Sequence, residues 1–129
     1  REIKEADTFE FNGKVYNSSE FLSEDKPGKE ISIIPDTRYF EGLDEFVKNS
    51  NIIITECTYL LKEDAHHARK NYHLSILDIE KIISQSKVKN LYLTHISARY
   101  DRNIEKEAIE SLRDKCNVKI AHDLEEYTL

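Results

Sequence analysis

From residue 29 onward, short apolar runs alternate with stretches that have a helical pattern of polar and apolar positions. The runs predict four strands, at residues 31–34, 51–55, 90–94 and 118–121. The three consecutive isoleucines of the second run favour a strand that is buried on both faces. The stretches between the runs predict three helices. The resulting order, β-α-β-α-β-α-β, indicates an α/β fold in which helices cover a sheet.

Two of the predicted helices have recognisable N-terminal signals. Ser75, with Asp78 three residues later, resembles a capping box, and an apolar stripe follows at Ile76, Ile79, Ile82 and Ile83. Asn103 is predicted to cap the last helix, whose inner side would carry Ile104, Ala108 and Leu112. The first helix is predicted at residues 43–48.

The beginning of the chain follows a different pattern. Residues 8–11 alternate between polar and apolar, Asn12-Gly13 is a hairpin signal, and Val15-Tyr16 is predicted to return as a strand. Residues 23–28 have the composition of a loop. We therefore expect a single unit over residues 1–129, with a hairpin and loop lead-in at 1–28 and the α/β core at 29–129.

Composition narrows the class of protein. The chain has 129 residues, of which 39% are hydrophobic and 34% are charged, as expected for one globular domain. Its apolar runs are too short to span a membrane. The net charge of −6 gives no general attraction to nucleic acid, so RNA binding would need a local basic patch. Two cysteines are too few for a disulfide scaffold, which favours a cytoplasmic location.

Polar side chains that can bind metals follow the predicted strands. Asp36, Glu56, His95 and His122-Asp123 each come at or just after a strand end. A single Asp in this position is commonly a turn residue, and a single His is commonly structural. Ligands in α/β folds bind at the carboxyl ends of the strands, so four such ends together indicate a site. His66 and His67 are adjacent on a helical pattern and point apart, which favours surface positions.

The sequence resembles the carboxyl-terminal half of the metallo-β-lactamase superfamily, and within it the ribonuclease Z group of tRNA 3′-processing endonucleases. Four stretches carry the resemblance: Ile33-Ile34-Pro35-Asp36-Thr37-Arg38, Thr55-Glu56-Cys57-Thr58-Tyr59, Tyr72-His73-Leu74-Ser75 and Leu91-Tyr92-Leu93-Thr94-His95-Ile96-Ser97-Ala98-Arg99-Tyr100. The resemblance implies one half of an αβ/βα four-layer sandwich. It also implies zinc-dependent hydrolysis of phosphodiester bonds, with precursor tRNA as the substrate.

The resemblance assigns roles to matching residues. Asp36 and His95 would be metal ligands in a site for two zinc ions. His73 would be a catalytic general acid, and Glu56 would orient it. Thr37 or Thr94 would help to hold the ligands. Arginine suits bidentate contact with phosphate, so Arg38 and Arg99 are the candidate phosphate-binding residues.

One part of the family pattern is missing. Most of the zinc ligands in this family come from an amino-terminal His-x-His-x-Asp-His motif, which this sequence lacks. Zinc takes about four ligands, so Asp36 and His95 alone would hold it weakly. We therefore expect an amino-terminal half, upstream or on a partner chain, to complete the site, and this chain alone to be inactive. The chain begins at Arg1 and contains no Met, which favours an upstream half. Members of the family often form homodimers, which adds a second expected partner.

Two other functions remain open at this point. The complete protein would be another hydrolase of the same superfamily, acting on a small phosphodiester, thioester or lactone, since fold alone does not determine chemistry. Alternatively, the chain would be a catalytically silent half that acts as a subunit or binding module.

Overall fold

A computed structural model describes residues 8–17 and 28–129 of the chain. The first described segment is a hairpin of two antiparallel strands, β1 (Thr8–Phe11) and β2 (Lys14–Asn17). Its turn consists of Asn12 at φ 52° and Gly13 at φ 77°, a left-handed pair that matches the twist of a tight hairpin. The hairpin prediction is therefore confirmed. Of the loop predicted at residues 23–28, only Gly28 lies among the described residues.

The core is a four-stranded parallel sheet in which each strand pairs with the next along the chain. Its strands are β3 (Ile31–Ile34), β4 (Ile52–Glu56), β5 (Asn90–Thr94) and β6 (Asn117–Ile120), in the order β3-β4-β5-β6. Parallel neighbours need crossover connections, and the segments between these strands contain the helices. The predicted α/β class is confirmed.

Four helices connect the strands. They are α1 (Leu43–Val47), α2 (Ala65–Lys70), α3 (Ile76–Ser84) and α4 (Arg102–Leu112). The crossover between β4 and β5 holds both α2 and α3, with a short 3-10 helix (Lys62–Asp64) before them, so it contains one helix more than the sequence pattern predicted. None of the helices in the described part of the chain has the length and apolar character that crossing a membrane requires.

The cap of α3 was predicted correctly and the cap of α4 was not. The Ser75 side chain accepts from the backbone N–H of Asp78, and the Asp78 carboxylate accepts from the backbone N–H of Ser75, which is a complete capping box. At α4, Asp101 is the N-cap, and its carboxylate accepts from the N–H groups of Asn103 and Ile104 at 2.9 and 3.0 Å. Asn103 already lies inside the helix, where its own N–H needs a partner.

The helices cover one face of the sheet and leave part of the other face open. Alternate strand residues point into the main core, which includes Ile34, Ile53, Leu91, Leu93 and Val118. On the opposite face, Ile31 is 45% exposed and Ile33 is 65% exposed. Tyr92, on the same face, packs against the tilted ring of Tyr127 from the chain's last residues, with ring centroids 4.9 Å apart. On this face, the apolar side chains of the edge strand β3 are therefore uncovered, whereas Tyr92 on the inner strand β5 has an aromatic partner.

The two faces predict different responses to truncation of an isoleucine in this chain. Ile53 is 0% exposed, so Ile53→Ala should lower the free energy of unfolding by about 2–4 kcal/mol through the cavity it leaves. The matched variant Ile33→Ala, on the open face, should cost less than about 1 kcal/mol. Denaturant titration measures both values, and equal losses would contradict this assignment of the faces.

Candidate metal and active site

The topology of the sheet brings the predicted site residues to one edge. Because the four strands are parallel, their carboxyl ends meet there. Asp36 comes two residues after β3, Glu56 ends β4, and His95 follows β5 directly. His73 comes from the connection between α2 and α3. A bridge between Tyr59 and Ser75 ties this connection to the segment that leaves β4.

Asp36, His73 and His95 form a cluster that could hold a metal ion. One potential ligand atom from each lies within 4.8 Å of the others. The Nδ1 atom of His95 is 3.4 Å from Oδ1 of Asp36, and the rings of His73 and His95 lie 5.1 Å apart. The Asp36 and His95 side chains are 59% and 50% exposed, so the cluster opens to solvent. One carboxylate and two imidazoles are ligands that suit zinc.

Glu56 lies beneath this cluster as a buried carboxylate that only accepts hydrogen bonds. Its side chain is 1% exposed. Oε1 accepts from the backbone N–H groups of Leu74 and Thr37, at 2.7 and 3.3 Å. Oε2 accepts from the N–H and the hydroxyl of Thr58, both at 2.9 Å. Glu56 therefore ties together the loops that carry Asp36, Thr58 and His73.

The contact between Glu56 and His73 determines how the His73 ring is used. The Nδ1 atom of His73 lies 3.2 Å from Oε1 of Glu56. Because this carboxylate only accepts hydrogen bonds, Nδ1 of His73 must carry the proton and donate it to Glu56. The other ring nitrogen, Nε2, is then left to bind a metal ion or to exchange a proton with a substrate.

Thr58 links Glu56 to His95 and thereby determines which ring nitrogen of His95 carries the proton. Its hydroxyl proton is donated to Glu56, so the 3.0 Å contact with His95 requires the Nδ1–H of His95 to be the donor. Nε2 of His95 is again the free nitrogen. One buried carboxylate thus sets the ring state of both histidines, directly for His73 and through a hydroxyl for His95.

One residue of the cluster, and one residue that directly precedes His73 in sequence, have left-handed backbone conformations. His95 has φ 54° and Tyr72 has φ 62°. For residues other than glycine, asparagine and aspartate this conformation costs on the order of 1–2 kcal/mol. Such strain persists where surrounding structure enforces it, and it is commonest at functional sites. At His95 it turns the ring back from the end of β5 toward Asp36 and Thr58.

The two predicted phosphate-binding arginines, Arg38 and Arg99, each contact an aromatic ring from the motif stretches. The Arg38 guanidinium is 4.8 Å from the centroid of the Tyr72 ring. Arg38 also lines a cavity of about 130 Å³ together with Arg69 and His73. Arg99 lies 5.2 Å from the ring centroid of Tyr59. Both arginines are exposed, so their guanidinium groups are free to meet an anionic substrate.

Two further side chains in these motifs have strongly shifted acidity. Burial, with the nearby Glu56 carboxylate, raises the pKa of the Cys57 thiol far above its usual range. Cys57 therefore stays protonated and is a poor nucleophile. Burial and the hydrogen bond to Asp64 likewise raise the pKa of the Tyr100 phenol. The Tyr100 hydroxyl donates to Asp64 at 2.6 Å, which fixes the end of the His95 loop against the 3-10 helix.

The hydroxyls of the two threonines predicted to hold the ligands, Thr37 and Thr94, donate to backbone carbonyls. Thr94 donates to the backbone carbonyl of Thr55, and Thr37 meets Glu56 through its backbone N–H. Thr58 is the residue that contacts a histidine of the cluster. Its position two residues after Glu56 was the available signal, because side chains two apart on an extended segment share a face. His66 and His67 lie exposed on α2, as predicted, and His122 is exposed after β6.

The comparison with known proteins gives one consistent result. Ribonuclease Z of Staphylococcus epidermidis is 41% identical over 101 residues, which cover 78% of this chain and 33% of that protein. Ribonuclease Z of Exiguobacterium sp. is 36% identical over 129 residues, or 100% of this chain and 42% of the relative. Ribonuclease Z of Staphylococcus haemolyticus is 35% identical over 133 residues, with 100% and 43% coverage. The chain thus spans less than half the length of these relatives. No protein-family model matches it.

The role of Thr58 can be tested by removing its hydroxyl. Thr58→Val keeps the volume but leaves Oε2 of Glu56 without one donor. It also removes the 3.0 Å acceptor of the His95 Nδ1–H, which leaves only Oδ1 of Asp36 at 3.4 Å. We expect it to lower the free energy of unfolding by about 1–3 kcal/mol. Nitrogen NMR of the histidine rings should show His95 gaining the tautomer protonated at Nε2.

Thr58→Ser is the matched control, since it restores the hydroxyl and should restore the ring state of His95. An unchanged His95 spectrum in Thr58→Val would contradict the assigned hydrogen-bond chain.

Proposed function

Because this chain is a ribonuclease Z-like member of the metallo-β-lactamase superfamily, we propose that the protein is a zinc-dependent endoribonuclease that processes the 3′ ends of precursor tRNA. The observation that carries the proposal is the cluster of Asp36, His73 and His95 above the buried carboxylate of Glu56. It combines metal ligands with an oriented histidine, which are the parts that metal-assisted phosphodiester hydrolysis needs.

Asp36 and His95 are the proposed zinc ligands. Asp36 offers two carboxylate oxygens, and His95 offers Nε2 because its Nδ1–H is held by Thr58. When bound, zinc supplies Lewis acidity and lowers the pKa of water. The Thr58 contact leaves His95 with a defined ligand atom before any metal arrives, so little reorganisation is needed on binding.

His73 is the proposed general acid. Its Nδ1–H is held by Glu56, so Nε2 is the position at which a proton can pass to the leaving oxygen. Arg38 and Arg99 would hold the phosphate and the flanking backbone by charge-assisted hydrogen bonds.

The site in this chain is incomplete, and we propose that an amino-terminal half of the protein supplies the remaining ligands. This chain contributes three metal-capable side chains, of which His73 has a different proposed role. The relatives are more than twice as long as the matched segment. The open face of the sheet, with Ile31 and Ile33 exposed, also suits a second sheet packed against it. A partner chain or a homodimer would be the other source of these groups.

The cytoplasm is the proposed place of action. Both cysteines are free, with Cys57 buried and Cys116 partly buried, as is usual for proteins of a reducing compartment.

The proposed acid can be tested by His73→Ala in the complete protein. Turnover of precursor tRNA should fall by about 10²–10⁴-fold, because general acid catalysis contributes that much, while the zinc content stays unchanged. His122→Ala is the matched control, since His122 is exposed beyond β6 and should not affect turnover.

Normal turnover in His73→Ala would contradict the proposed acid. If the unmodified protein left RNA intact and hydrolysed a small chromogenic phosphodiester, the protein would be a hydrolase of small substrates instead.

Zinc content tests the incomplete site. Elemental analysis of this chain alone should find almost no zinc after dialysis, because zinc needs about four ligands. The complete protein should retain zinc, and Asp36→Asn should reduce it. Retention of stoichiometric zinc by the isolated chain would contradict the need for an amino-terminal half.

A further inference from the structure

We propose that Tyr72, with Arg38 beside it, forms a stacking site for a nucleobase next to the scissile phosphate. This inference rests on the proposed function and adds a substrate contact to it. It starts from a residue whose backbone position favours glycine but whose side chain is a large, exposed ring.

The backbone explains why Tyr72 is unexpected. Helix α2 ends at Lys70, and the N–H of its C-cap residue Asn71 bonds to the carbonyl of His67 at 2.9 Å. The N–H of His73 bonds to the carbonyl of Ala68, also at 2.9 Å. This pattern places Tyr72 in the left-handed position just after the helix, where glycine is the usual residue. Glycine would satisfy the same hydrogen bonds without steric strain.

Burial does not compensate for this strain. Tyr72 is 63% exposed, so its ring gains little from the hydrophobic core. A bulky residue in a strained and exposed position indicates that the side chain serves something outside the fold.

The surroundings of the ring have the chemistry of a site for a nucleotide. The Arg38 guanidinium lies 4.8 Å from the ring centroid, in cation–π contact. Arg38 connects this ring to a neighbouring cavity, which Arg38 lines together with Arg69, Asp78 and the proposed acid His73. Arg38 and Arg69 thus offer two cationic groups for phosphate, and the Tyr72 ring offers an aromatic face for a base. Aromatic stacking with arginine contacts is the common way in which proteins bind unpaired RNA bases.

The position in the chain indicates which base would stack. Tyr72 directly precedes His73, which would donate its proton to the leaving oxygen. Cleavage that leaves a 3′-hydroxyl makes this oxygen part of the nucleotide on the 5′ side of the cut. The stacked base is therefore that of the nucleotide immediately 5′ to the scissile bond.

The experiment compares Tyr72→Gly with the unmodified complete protein on two RNAs. The RNAs differ only at the nucleotide 5′ to the cut, which either has its base or is abasic. Tyr72→Gly should raise the Kd for the RNA with the base by about 5- to 100-fold, as expected for one lost base stack. The Kd for the abasic RNA should not change. Fluorescence anisotropy measures both values.

Two controls separate stacking from stability. Tyr72→Phe keeps the aromatic face and should bind both RNAs as the unmodified protein does. Tyr72→Gly should unfold at the same temperature as the unmodified protein or higher, since glycine fits the left-handed conformation. Equal weakening on both RNAs, no weakening on either, or a dependence on the base 3′ to the cut would overturn the proposal.

Binding and cleavage are separate readouts in this experiment. Base-dependent binding that is lost in Tyr72→Gly supports the stacking site even if the protein does not cleave RNA. Cleavage of RNA with no base dependence at this nucleotide overturns the stacking site and leaves the proposed function in place.

Discussion

The arrangement of the site depends on the buried carboxylate of Glu56. A charge at 1% exposure is costly to bury unless hydrogen bonds replace the lost water, and here every partner of Glu56 is a donor. Those donors come from three separate segments, after β3, after β4 and before α3. The free energy that stabilises the buried charge is therefore the same free energy that holds these segments in place.

This shared dependence explains why the metal-capable side chains can be so exposed and still be ordered. The side chains of Asp36 and His95 are 59% and 50% exposed. Packing alone would therefore not fix the Asp36 carboxylate or the His95 ring. Their positions follow instead from the parallel strands below and from hydrogen bonds one layer further in. Thr58 is the link in this layer, because its hydroxyl has only one proton and must both donate and accept.

Much of the fold and part of the site could be predicted from the sequence, for identifiable reasons. The run of three isoleucines marked β4 because a strand buried on both faces requires continuous apolar side chains. The capping box at Ser75 was predictable because its hydrogen bonds are local. The cap at Asp101 was missed because two nearby polar residues suit that role and only backbone geometry decides between them. The Thr58–His95 contact joins the segments that follow two adjacent strands, and no local pattern specifies such a distant partner.

The parallel topology has a consequence for how the chain reaches its native state. Every strand pair in the core joins segments separated by a helical crossover, so no two core strands can pair before a long loop closes. Chains with such distant contacts fold slowly, and they expose apolar strands while they do so. Here the edge strand β3 keeps Ile31 and Ile33 uncovered even afterwards. Newly made protein would thus be prone to self-association through this strand, and its yield in a cell would depend on how quickly that surface is covered.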